Sequence, residues 1–237
     1  MNSTDFPYPY TLKTSARAKR MWLGVAPHQG IVLTVPQSTS PEDVNLFLTK
    51  HIVWIEKHRA VWQEAHTIKA PPNTIHLAAL TTTGATTWIV NYEILSSKRT
   101  TLIEGVDNTL IYCGPDNDPE KFKKLRQWVH KKAASFLAQR IALLSVQAEL
   151  PFNALSFRTQ RSLWGSCTHK KDISLNYKLI FVAPHLVDYV LLHELAHTRY
   201  LNHSAHFWNF LSQFYPHYQQ ARKELKHAEK NIPQWFY

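Results

Sequence analysis

The stretch "HELAHTRYLNH", His193 to His203, brings three histidines and a glutamate into one short segment. Residues i and i+4 of a helix lie one turn apart on the same face, so His193 and His197 can each offer a nitrogen to one metal ion. Glu194 stands about 100° further round the helix. There it can reach a metal-bound water without being a ligand, which is what a general base requires. With 14 His and 10 Glu in 237 residues, a shuffled chain would hold about 0.03 HExxH matches. The surrounding "HLVDYVLLHELAH" is apolar on nearly every other side, which draws His193, Glu194 and His197 toward the interior. Burying three ionisable groups costs several kcal/mol unless they are paired or metal-bound. A pair of hydrogen-bonded core histidines is the plain alternative, and the metal reading is preferred to it. Zinc (Zn2+) is the expected metal, because with three protein ligands it keeps a fourth position for water.

His203 follows His197 by six residues, too far round to share its face in an unbroken helix. A break within "YLN" brings it back. Asn202 tolerates the left-handed conformation that such a break uses, and Ser204 would cap the next helix. His203 is the favoured third ligand. His206 is its rival, Glu224 and Glu229 are carboxylate alternatives, and His169 reads better as a solvated loop residue. Asp188 is either a partner for a ligand histidine or, preferably, a favourable acid in the first turn of its helix. Tyr200 either donates to an oxyanion or, preferably, packs.

The elements that position these residues follow from punctuation and periodicity. Pro184 opens the helix that carries the motif, and further helices fill Ser204 to Lys230. Before it, "NALSFRTQRSLWGSCTHKKDISLNYKLIFVAP" reads as two short strands around a polar loop at Thr168–Asp172. A long helix spans about Glu120 to Val146, with Phe122, Leu125, Trp128, Val129, Phe136, Leu137 and Leu144 as its apolar stripe. "GPDNDP" (Gly114–Pro119) marks the candidate boundary. From Thr74 to Tyr112, β-branched runs predict a small, mainly antiparallel sheet. Ser40 and Pro41 open a helix whose Val44, Phe47, Leu48, Ile52 and Ile55 recur at helical spacing. Two apolar runs flanking "PHQG" (Pro27–Gly30) predict a hairpin. The fold expected is α+β: a β-rich N-terminal part over residues 1–116 and a helical part over 117–237 with HExxH on a buried helix, or both in one integrated domain.

Composition narrows the function classes. No run approaches the roughly 18 uncharged apolar residues of a membrane span. The N-terminus lacks the apolar segment of a secretory signal, so a cytoplasmic location is expected. Cys113 and Cys167 form no CxxC pair, so a metal must be held by His and carboxylates. The formal net charge of +10 invites a nucleic-acid reading. The basic residues are spread along the chain, however, and the densest run, Glu120–Lys132, reads as one solvated helix face. Weak association with polyanions is expected rather than a dedicated groove.

"LWGSC" (Leu163–Cys167), "ISLNYKLI" (Ile173–Ile180), "VDYVLLHELAH" (Val187–His197) and "NHSAHFW" (Asn202–Trp208) occur in that order. Together they resemble the YgjP-like metallopeptidases, the domain-of-unknown-function 45 family, which is related to the SprT-like zinc peptidases. A weaker likeness in Ala16–Pro36 extends the resemblance to most of the chain. It implies a zincin-like catalytic part, with zinc held by His193, His197 and His203 and Glu194 as the catalytic acid/base. Leu163 replaces the arginine usual before the family's tryptophan, and Tyr177 stands where Trp is common.

The function expected is a zinc metallopeptidase that hydrolyses peptide bonds in a protein or peptide through a Glu-activated, zinc-bound water. Trp164, Gly165 and Ser166 either hold an extended substrate by strand addition or have packing roles, with Trp164 in the core and Gly165 at a bulge. A nucleic-acid-associated module with structural zinc and a zinc amidase for small molecules are the alternatives. Oligomeric state is not legible.

Overall fold

"GIVLTV" is apolar at almost every position, the pattern of a strand covered on both faces. In the computed structural model, which describes residues 6–26, 30–57, 70–79, 86–97, 99–160 and 163–236, this strand is central. β3 (Gly30–Val35) lies between β1 (Tyr10–Thr14), which it pairs in parallel, and β2 (Trp22–Ala26), which it pairs antiparallel. The antiparallel pair is the expected hairpin; its turn residues 27–29 lie outside the described residues. In α1 (Pro41–Lys50) the Asp43 N–H donates to the Ser40 hydroxyl at 3.1 Å, and Pro41 sits in the first turn. Val44, Leu48 and Ile55 bury against Ile31, Leu33 and Val35, forming the core of the unit Met1–Lys69.

The second unit, Ala70–Phe236, contains two sheets and the larger helices. β4 (Thr74–Leu77), β5 (Thr86–Ile94), β6 (Thr101–Glu104) and β7 (Thr109–Gly114) form one sheet in the order β4-β5-β7-β6. Only β5 and β7 are parallel within it. Ile75, Leu77, Trp88, Val90, Leu110 and Tyr112 alternate onto its buried face. "GPDNDP" then joins β7 to α2 (Asp118–Gln147), inside this unit, and Asn117 caps the helix by accepting the Glu120 N–H at 3.1 Å. Leu125, Trp128, Val129, Ala133, Leu137, Ile141 and Leu144 form the buried stripe, whereas Phe122 and Phe136 are half-buried.

The basic run at the start of α2 is turned largely onto the protein itself. Lys121 is buried and pairs with Asp116 at 2.5 Å and Asp118 at 3.3 Å. Lys123 pairs with Glu120 at 3.2 Å and Lys132 with Glu104 at 2.6 Å. Cations engaged in this way do not make a row for phosphates, and a nucleic-acid role gains no support.

The segment after α2 holds three strands rather than the two expected: β8 (Ala154–Arg158), β9 (Gly165–Cys167) and β10 (Asp172–Asn176). β8 is only partly buried along its length, so its sequence lacks a strong alternating signal. β10 is central, parallel to β8 and antiparallel to β9, which leaves β9 on the sheet edge. A short 3-10 helix, Tyr177–Phe181, leads to α3 (Pro184–Ala196), followed by α4 (Ala205–Phe214) and α5 (Tyr218–Ala228). α3 packs against α2, α4, α5 and β9. It buries Leu186, Val187, Val190, Leu191, Leu192 and Leu195, each contributing about 1.5–3 kcal/mol. Arg140 of α2 grips Asp188 of α3 through two bonds of 2.7 and 2.6 Å. The architecture is mixed α+β, with sheets dominating the N-terminal half and helices the C-terminal half. Among the described residues no helix is long and apolar enough to cross a membrane.

Candidate metal centre

His193 and Glu194 lie in the last turn of α3, and His197 is its C-cap residue. The helix closes with short-range bonds: Thr198 N–H to Leu195 O at 3.0 Å and Arg199 N–H to Ala196 O at 3.1 Å. The Thr198 hydroxyl also donates to Leu195 O at 2.7 Å. The expectation of a left-handed Asn202 is not met. Among the described residues the positive-φ non-glycine positions are Asp107, Asn108, Glu149 and Lys171. Asn202 acts through its side chain instead: its Oδ1 accepts the Ser204 N–H at 3.2 Å, an Asx-type turn that needs no unusual backbone conformation. Ser204 is the N-cap residue of α4, without a side-chain capping bond.

This turn brings three Nε2 atoms together. His193 and His197 are 3.2 Å apart, His197 and His203 3.2 Å, and His203 and His193 2.9 Å. Ligands 2.0–2.1 Å from a tetrahedral zinc ion are themselves separated by roughly 3.3 Å, so the three nitrogens have the spacing of metal ligands. The protonation pattern also fits. The Tyr200 carbonyl can only accept, so its 2.8 Å contact with His197 Nδ1 puts the proton there and leaves the Nε2 lone pair facing the other histidines. Burial, reinforced by His197 and His203, pushes the His193 pKa down to about 3. His197 and His203 are lowered too, in each case chiefly by burial. All three rings are therefore neutral near pH 7, the form that binds a metal. Phe207 walls the cluster, its ring centroid 4.5–4.9 Å from each imidazole. Among the described residues, the buried His193 Nδ1 has no hydrogen-bond partner.

Glu194 is 6% exposed, and burial pushes its carboxyl up to about 8. Its neighbour from the sheet is Gly165: a Cβ there would fall 2.8 Å from both Glu194 Cγ and Oε1. Glycine at the start of β9 is what lets the carboxylate lie against the strand. The histidine cluster opens into a cleft of about 370 Å³ lined by Leu163–Cys167 together with Tyr189, Val190 and Leu225. Trp164 is buttressed by Lys178, whose Nζ lies 4.3 Å from its ring centroid and 3.3 Å from Glu229 Oε1. Burial also pushes the Cys167 thiol up to about 11, with Glu194 and Asp172 adding to the effect.

The remaining sequence candidates lie elsewhere. His206 is exposed on α4 and outside the cluster, and His169 is exposed in a turn. Glu224 bonds to His185 at 2.8 Å, and Glu229 to Lys178. Asp188 lies beyond the first turn of its helix, and both its carboxylate oxygens are held by Arg140. The Tyr200 ring packs edge-on against Phe210 at 5.4 Å, and its backbone carbonyl, not its hydroxyl, meets the site. Sequence reasoning missed that carbonyl, the Phe207 wall, the Lys178 buttress and the contact between Gly165 and Glu194. Only Phe207 carried a signal, as the aromatic residue of "NHSAHFW".

A family model described as "YgjP-like, metallopeptidase domain" matches residues 19–228. No curated protein matches the chain.

Proposed function

The chain belongs to the YgjP-like metallopeptidase family, and from that premise we propose that it is a zinc-dependent peptidase whose site is built by His193, Glu194, His197 and His203. The three histidines would hold the zinc, all of them within the helical part over residues 117–237. When bound, zinc supplies Lewis acidity, lowering the pKa of water and polarising the scissile carbonyl. Glu194 takes the proton of the attacking water on a carboxylate oxygen and passes it to the leaving amine. Glu194 lines the same cleft as the three histidines, so its carboxylate is within the site for both halves of that transfer. Among the described residues β9 has an unpaired strand edge beside Glu194, suited to an extended peptide added as a further strand through Gly165 and Ser166, with Trp164 at its end.

The observation that carries this reading is the triangle of Nε2 atoms, 2.9–3.2 Å on a side, opening on a cleft next to a buried carboxylate. Structural zinc sites are closed by four protein ligands; here the cluster among the described residues holds three. Metal analysis and cleavage of a denatured-protein mixture test the reading together. Glu194→Gln is expected to keep stoichiometric zinc and lose at least about a hundredfold in turnover, while His203→Ala loses the zinc. Full activity in Glu194→Gln would leave zinc a structural role, and no cleavage by the zinc-loaded protein would remove peptides as substrates.

A further inference from the structure

Trp208 stacks on His203 at 5.4 Å and on Tyr218 at 5.1 Å, and the Arg222 guanidinium lies 5.2 Å over the same indole. Beside it, Trp208, Tyr218, Gln219, Arg222, Lys223 and Lys226 surround a hollow of about 380 Å³. Its lining has three cations and no carboxylate. The acidic groups of this region are committed elsewhere, Glu224 to His185 and Gln220 and Glu229 to Lys178. Arg222, Lys223 and Lys226 have no carboxylate partner among the described residues. Arg222 and Lys226 are four residues apart on α5, where like charges oppose helix stability. The hollow adjoins the histidine-lined cleft: Leu225 lines that cleft from the same helix, and Trp208, which lines the hollow, stacks on His203 of the cleft.

We propose that this hollow is a substrate subsite that takes an oxyanion: the carboxylate of an acidic residue or chain end, or the phosphoryl group of a modified residue, on the peptide bound in the cleft. Trp208 already stacks with two rings and lies under Arg222, so it is not a free platform for a base; the hollow recognises charge. This assignment rests on the peptidase reading. A peptide set sharing one core sequence, with alanine, aspartate or phosphoserine at each flanking position and with free or amidated ends, tests it on the zinc-loaded protein. One anionic group is expected to raise kcat/KM about fivefold or more over its neutral counterpart. That ratio should fall to about one in Arg222→Gln/Lys226→Gln with zinc content unchanged. Aspartate, phosphoserine and free-end arms separate the sources. Equal rates on neutral and anionic peptides, or a preference that survives the double substitution, would overturn the subsite while leaving the peptidase intact. If no peptide is cleaved, calorimetry with inorganic phosphate decides the subsite alone. Binding weakened about fivefold by the double substitution supports it, and unchanged binding overturns it.

Discussion

The position of one carboxylate depends on the absence of one side chain. Glu194 Cγ and Oε1 lie 2.8 Å, and Cδ 3.0 Å, from where a Cβ on Gly165 would stand. Gly165→Ala has a flexible neighbour to push aside, so the fold and the histidines are expected to survive, and the displaced group is the proposed base. A misplacement of about 1 Å at a reacting group costs up to about a hundredfold in rate. The expected outcome is a kcat lowered ten- to a hundredfold with zinc content and melting temperature near those of the parent; an unchanged kcat would show that this contact does not set the carboxylate's place. This contact was illegible in the sequence because it joins a strand to a helix across a long separation. HExxH was legible for the opposite reason, since a single helical turn dictates its geometry.

At the scale of elements, the turn between α3 and α4 decides whether His203 meets the other two histidines. The break expected at "YLN" comes earlier, since the helix ends at Ala196 and turns over residues 197–199; Asn202 contributes not a left-handed backbone but its Oδ1, which accepts the Ser204 N–H. Asn202→Ala is expected to cost about 1 kcal/mol in stability and to weaken zinc binding several-fold, read by competition with a chromogenic chelator. Unchanged affinity would show that the turn is held without that bond. A second element contact, the bidentate pair between Arg140 and Asp188, joins α2 to the helix carrying the motif. Both side chains are less than a third exposed, so Asp188→Asn should destabilise the protein by about 1–3 kcal/mol, seen as a lowered urea midpoint. The helices were legible from caps and periodicity. β1 and β8 were not, because both are edge strands that owe their state to nonlocal parallel partners more than to an alternating pattern of their own.

At the scale of the whole molecule, the histidines and Glu194 are costly to bury without a metal, and the cost depends on pH. Burial lifts the Glu194 carboxyl from its ordinary 4.5 to about 8. Its contribution to stability is therefore fully present below about pH 4.5 and is lost as the pH rises through about 8, because the unfolded chain releases the proton first. His193 runs the other way. Its pKa falls from 6.5 to about 3, so its contribution is present above about pH 6.5 and is lost as the pH falls through about 3. Between about pH 4.5 and 6.5 the two trends oppose each other, whereas at pH 8.5 only the Glu194 cost remains. Chelation should therefore lower the melting temperature, since a ligand that binds the folded state stabilises it. The metal-free Glu194→Gln protein should then be more stable than the metal-free parent at pH 8.5, by a few kcal/mol on the order set by the shift, with the advantage shrinking by pH 5. Urea midpoints at the two pH values after chelation measure this difference. An advantage that does not change with pH would show that Glu194 is hydrated, not buried, in the metal-free protein.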